Sequence, residues 1–251
     1  MNISNSERRL LQLFWIAWAS LLSAGLIVDR CSSQWFAALE TEFKAASSAA
    51  LVGFAWTFAV LALPSERNVA RLIAIGMTLG SLGDASPLLG SNWPDPQRTI
   101  GNMILFGLGH VAYIRANLRI RQTVQRSVSL QNWRLSLAFA AIVSVASWYF
   151  AALRGPLNAT MKYPALPYTC LLSVTTGVSI GTAIATRGYW PVALGTVLFL
   201  TSDLLLAVWI FHGAVYRTVD LVWLTYGIGQ MLIVVGTSRF LVGHRDNFVH
   251  R

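Results

Sequence analysis

Long apolar windows dominate the pattern along this chain, each close to the roughly 20 residues a helix needs to cross hydrocarbon. Eight stand out, at about 11–28, 45–63, 68–89, 100–118, 134–153, 164–186, 190–212 and 220–242. The polar stretches between them are short and hold breaker residues. Pro64 closes the second window, Pro94 and Pro96 lie in a loop, and Pro191 suits the first turn of the seventh helix. The first window is too long for a removable signal, and no small-residue cleavage site follows it. Nothing is left over for a soluble domain, a linker or a low-complexity tract. The pattern therefore predicts an all-α polytopic membrane protein, one transmembrane domain over residues 1–251 built as a bundle of eight transmembrane helices.

Composition agrees with that pattern. The chain is 55% hydrophobic and 12% charged, with a mean hydropathy of +0.56, whereas soluble domains carry about 25% charged residues. Ten Trp, seven Tyr and twelve Phe suit interfacial belts. The net charge of +9 orients the bundle. With the N-terminus inside, thirteen of the 19 basic residues fall on the inner side, most densely from Arg115 to Arg134, and six on the outer. Positive loops stay cytoplasmic, so both termini are expected there. No basic cluster interleaves with exposed aromatics, which sets nucleic acid aside as a partner. Cys31 and Cys170 are far apart and form no C-x-x-C. Gly76/Gly80 and Gly177/Gly181 are spaced to let helices approach closely.

The polar residues at depth are few. They are Asp84 on the third span, His110 and Tyr113 on the fourth, Ser202 and Asp203 on the seventh, and Tyr226 and Gln230 on the eighth, with Lys44 at the mouth of the second. Ionisable side chains inside a membrane face the bundle interior and mark function by default. Phe106, His110 and Tyr113 are i, i+4, i+7 and share a helix face. At 1.5 Å per residue, Asp84 and Asp203 each lie roughly 20–24 Å from the cytoplasmic end of their spans, at matching depth. Plainer roles exist for the others. His110 suits a helix–helix hydrogen bond, Tyr113, Tyr226 and Gln230 suit polar glue, Ser202 suits a bond to a carbonyl one turn back, and Lys44 suits snorkelling to headgroups. Two buried acids without a buried basic partner would be a costly scaffold.

Other chemistries fit badly. His212 stands at a span end and His244 and His250 in the tail, so a three-histidine metal site at depth is hard to build. No G-x-S-x-G elbow or phosphate loop is present. Asn158-Ala159-Thr160 matches a glycosylation sequon on the predicted outer side.

The segments "GSLGDASPLL" (80–89), "FGLGHVAYI" (106–114), "GTVLFLTSDLLLAV" (195–208) and "YGIGQMLIV" (226–234) resemble, in order and spacing, the signatures of the YhhN family. That family comprises eight-span membrane proteins and includes the lysoplasmalogenases. Phe43-Lys44 matches the family's lysine at the second span, with Ala45 where proline is usual, and Thr196 replaces a common alanine. "YPALPY" (163–168) resembles the entry to the sixth span and brings Tyr168 into the candidate set.

The resemblance implies hydrolysis of the vinyl ether of a lysoplasmalogen to a fatty aldehyde and a glycerophospho-ethanolamine or -choline. Such a bond breaks by protonation at carbon, so the reaction needs a general acid, a group that stabilises the oxocarbenium ion, and a held water. In an apolar surround one carboxyl of a close pair can stay protonated while its partner ionises. Asp84 and Asp203 are the expected catalytic pair. His110, Tyr113, Tyr168, Ser202, Tyr226 and Gln230 are expected to bind or support, and Lys44 to meet a lipid phosphate. No metal or organic cofactor is required. The expected partners are a vinyl-ether lysophospholipid and the bilayer, in the inner membrane of a bacterium or the endoplasmic reticulum of a eukaryote. The competing readings are a non-enzymatic lipid or small-solute transporter or sensor, and a hydrolase of another lipid ether, ester or amide.

Overall fold

Helix punctuation in the sequence sets the elements. Ser4 opens α1 (Asn5–Val28) as a capping box: Glu7 N–H donates to its hydroxyl at 3.3 Å and its own N–H donates to the Glu7 carboxylate at 2.7 Å. α2 (Gln34–Leu61) stops three residues before Pro64, which starts α3 (Pro64–Asp84) from its first turn. Then follow α4 (Ser86–Leu89), α5 (Gln97–Val124), α6 (Leu130–Ser147), α7 (Ala159–Ala185), α8 (Trp190–His212) and α9 (Leu221–Val249). This computed structural model describes residues 4–28, 34–89, 96–124, 130–213 and 220–249. Cys31, Pro94 and His250, all noted above, lie outside them.

Nine helices rather than eight occur among the described residues, and no strand. The extra one comes from the third apolar window, which breaks after Asp84. Pro87 has no N–H to continue the ladder; Ala85 N–H closes the last turn onto Ser81 O at 3.0 Å, and Leu88 N–H restarts on Ala85 O at 2.9 Å. α6 and its continuation form the expected single span, Trp133–Leu153, but with an irregular end. The helix passes at Trp148–Leu153 into a π-helical turn, a wider ladder that reappears at the site below.

Among the described residues six helices are long and apolar enough to cross a membrane: those beginning at Asn5, Leu39, Trp133, Ala159, Arg187 and Leu221. α3 and α5 fall short of that measure because of their polar residues, Glu66, Arg67, Arg71 and Asp84 on one and Arg98, His110, Arg115 and Arg119 on the other. Both are nonetheless interior, with Ile73, Ala74 and Met77 of α3 and Tyr113, Ala116 and Ile120 of α5 fully buried. α2, α3, α5, α7, α8 and α9 pack in that order into a ring that closes from α9 back onto α2, while α1 and α6 flank it. α1 and α6 turn Leu13, Ile16, Phe139 and Ile142 outward. Apolar side chains on an outer face are what a lipid environment requires.

Candidate active site

A cavity of about 710 Å³ lies among α3, α5, the π turn, α7, α8 and α9, within the 300–1,000 Å³ usual for enclosed ligands. Asp84 and Asp203 both line it, with Tyr168, Tyr226 and Ser202. Its remaining wall is mostly apolar, including Met103, Phe106, Trp148, Met161, Leu204 and Phe211.

Local structure explains how each acid is presented. Asp84 is the last residue of α3, just before the break at Ala85. Its Oδ2 accepts from the Tyr226 hydroxyl at 2.7 Å and from the Ser48 hydroxyl. No described residue hydrogen-bonds to its Oδ1. Asp203 lies mid-helix on α8, half-buried, and its Oδ2 accepts from the Tyr168 hydroxyl. Ser202 contacts its Oδ1 only weakly, at 3.3 Å, since that hydroxyl donates to Phe199 O at 2.7 Å. Each carboxyl is thus fixed through one oxygen by a tyrosine, and the second oxygen is left over for chemistry.

Behind Tyr226 runs a directed chain of hydrogen bonds. Tyr113 donates to the Gln230 carbonyl at 2.9 Å, and the Gln230 amide nitrogen donates to the Tyr226 oxygen at 3.2 Å. Every proton in the row points toward Asp84. Gly80 makes room for it, because a methyl there would come within 3.0 Å of Gln230 Nε2.

His110 is elsewhere. It does not line the cavity; its ring packs edge-on against Phe199, centroids 4.5 Å apart, and its Nδ1 lies 3.0 Å from Thr175 Oγ1. Thr175 spends its proton on Leu171 O at 2.8 Å, so the threonine accepts and Nδ1 carries the hydrogen. Nε2 is buried without a partner among the described residues.

Lys44 is also placed differently from a lipid-facing lysine. It is 3% exposed, and its ammonium pairs with both Glu40 and Asp220 while standing 5.3 Å from the Trp223 ring. Asp220 caps α9 with its other oxygen, accepting from Trp223 N–H at 3.0 Å. Two acids for one cation leave this cluster with net negative charge.

Glu40, Ser48 and Asp220 are site residues that hydropathy does not mark. Two of them carry a spacing signal, since Glu40, Lys44 and Ser48 follow at four-residue intervals on one face of α2. Asn158, the sequon asparagine, donates its amide to Ile210 O at 2.7 Å and lines the cavity. Among the described residues no three His, Cys, Asp or Glu side chains converge to hold a metal.

The YhhN family model matches residues 39–237. This chain belongs to the YhhN family. The matched span takes in the whole arrangement, from Glu40 on α2 to Gln230 on α9. Neither a curated protein nor a solved structure matches the chain. This YhhN-family site sets two carboxyls on separate helices, each with one committed oxygen, in a cavity whose wall is mostly apolar.

Proposed function

We propose that the protein is a membrane-embedded hydrolase that cleaves the vinyl ether of lysoplasmalogens, with Asp84 and Asp203 as its acid–base pair. The observation that carries this reading is the shared cavity, in which both acids face mainly apolar wall and each is pinned by a tyrosine. The protein is read as one membrane domain crossing eight times with both termini in the cytoplasm, α3 and α4 together making the third crossing. Cysteine accessibility at the termini tests that orientation.

The chemistry balances with these groups alone. The protonated carboxyl delivers its hydrogen to the vinyl carbon remote from oxygen, leaving an oxocarbenium ion on the neighbouring carbon. The ionised carboxylate stabilises that cation and then takes a proton from the water that adds to it. The hemiacetal then collapses: its hydroxyl proton passes to the first carboxylate and restores the acid, while the second carboxyl returns its proton to the departing glycerol oxygen, giving a fatty aldehyde and a free glycerol hydroxyl. Ser48, Tyr226 and Tyr168 hold the carboxyls in register, and Tyr113 and Gln230 hold Tyr226. Glycosidases divide an oxocarbenium problem between two carboxyls in the same manner.

Purified protein in neutral micelles, given a lysoplasmalogen, should release aldehyde and the glycerophospho product in equal amounts. No aldehyde from the wild type defeats the proposal. Equal turnover of the matching acyl ester would move the protein to another class of lipid hydrolase.

A further inference from the structure

A lysophospholipid in this cavity brings an anionic phosphate close to two carboxyl groups, and that charge needs an answer. Lys44, the cation that spacing and family resemblance put forward, cannot give it. Its ammonium is enclosed by Glu40 and Asp220, so a phosphate approaching there meets two carboxylates for one positive charge. Among the described residues lining the cavity there is one basic side chain, Arg98, half-buried in the first turns of α5.

Its position on the helix matches the shape of the ligand. Arg98, Asn102 and Phe106 are i, i+4, i+8 on one face of α5, and all three line the cavity. Phe106 marks the depth of the acids, because it fills the space beside Gly83, next to Asp84; a methyl on Gly83 would come within 2.7 Å of its ring. Side chains lean toward the N-terminus of their helix, as the Tyr113 ring does in reaching Gly76 while Gly109 faces that glycine, so the level of the ring is that of the Asn102 backbone, and Arg98 stands one turn, about 6 Å, beyond it. A three-carbon glycerol separates the vinyl ether oxygen from the phosphate ester. With the ether at the acids and Asn102 beside it, the phosphate therefore lies about one turn further along this face, within reach of the Arg98 side chain. A planar guanidinium suits two phosphate oxygens at once, and the Asn102 amide adds a neutral donor. The alkenyl chain is left the apolar wall of Trp148, Met161 and Phe211.

We infer that Arg98, with Asn102 beside it, is the phosphate anchor of this site, and that the site selects single-chain lipids with a phosphate headgroup over neutral single-chain lipids. The inference rests on the lipid-hydrolase reading, but its test does not need turnover. The ligand is a lysophospholipid with a saturated 1-O-alkyl chain, which lacks the vinyl bond. Its binding to the full-length protein in neutral detergent is followed through intrinsic fluorescence, since Trp148, Trp209 and Trp223 line the cavity. A 1-O-alkylglycerol of the same chain length and inorganic phosphate are the comparison ligands.

Wild type should bind the phospholipid more tightly than the alkylglycerol. Arg98→Ala should weaken phospholipid binding about 10- to 100-fold, the range for losing a charge-assisted hydrogen-bonded pair. It should leave alkylglycerol binding unchanged, and Arg98→Lys should recover part of the loss. In turnover the Arg98→Ala effect should fall on KM rather than kcat. Unchanged phospholipid binding in Arg98→Ala overturns the inference, as does an equal loss for both lipids. Displacement of the phospholipid by an equal concentration of inorganic phosphate would assign the site to the free anion and overturn it too. An inactive wild type that still binds in the Arg98-dependent manner defeats the hydrolase reading alone. An active enzyme with unchanged KM in Arg98→Ala defeats the anchor alone.

Discussion

Eight residues before each candidate acid stands a glycine, and the two levels of the bundle are built on opposite terms. At the lower level Gly76 of α3 meets Gly109 of α5, and Gly195 of α8 meets Gly229 of α9. A methyl on any of the four would come within about 3.0 Å of the facing carbonyl, so the helices there touch backbone to backbone. About 12 Å further along both helices, the same elements part around Asp84, Asp203 and the cavity. The separation has local causes: the break at Ala85 before Pro87, the π turn of α6, and Pro164 and Pro167 inside the first turns of α7. Close packing at one level holds the scaffold while ladder defects at the next open room for water and substrate. Variants that separate turnover from stability test this division.

The largest effect is expected at the acids. Asp84→Asn and Asp203→Asn each keep an oxygen to accept the tyrosine hydroxyl, so both proteins should fold and resist heat at least as well as wild type. Each should lose about 10²- to 10⁴-fold in aldehyde release, the contribution of a positioned acid or base. Retention of most of the wild-type rate by either variant would remove that acid from the mechanism.

Lys44→Met ranks next and acts on stability. It strands Glu40 and Asp220 against each other, and removing one partner from a buried ion pair costs about 3–5 kcal/mol. The midpoint of thermal unfolding in detergent should fall sharply, and the double change with Asp220→Asn should recover part of it. An unaltered midpoint would mean that the cluster is not the internal ion pair described here.

These contrasts also show what the sequence made legible. The all-helical bundle followed from apolar windows, and the small-residue signal at Gly76 and Gly80 pointed to real close contacts, with Tyr113 and Gln230 respectively. The break at Ala85 did not follow from hydropathy, because Ser86–Leu89 is apolar enough to read through; only the missing N–H of Pro87 betrays it. Asp220 was hidden because its role depends on α2 and α9 lying side by side, 176 residues apart in the chain. The partners of Lys44 were hidden for the same reason: a lone lysine in an apolar pattern looks lipid-facing until its acids are brought to it. Gly195 and Gly229 escaped notice because each packs against the other across two helices and not within a four-residue repeat.

The glycine seam supplies the third test. Gly195→Ala places a methyl 2.8 Å from Gly229 O and 2.9 Å from Ile233 N, neither of which can rotate aside. Overpacking of this kind costs about 1–3 kcal/mol. The thermal midpoint should drop while the turnover of the surviving folded protein stays near wild type. A proportionate fall in kcat with no thermal change would show that the seam shapes the cavity and would erase the division between the levels.

The smallest effect is expected at His110, which follows Gly109 on α5 and so stands at the level of the glycine contacts. Its Nδ1–H bonds to Thr175, but Thr175 keeps its own bond to Leu171 O if the imidazole is removed, so no hydroxyl proton is stranded. Its Nε2 is already buried without a partner among the described residues, a burden that an apolar side chain would not carry. His110→Leu therefore gives up one modest hydrogen bond and some ring packing against Phe199 while relieving an orphaned acceptor. The net change in stability should stay within about 1 kcal/mol. Because the ring does not line the cavity, kcat should also be nearly unchanged. A large loss of turnover with normal folding would place a mobile water at Nε2, connect His110 to the acids, and extend the chemical level of the bundle one turn deeper than the cavity wall marks it.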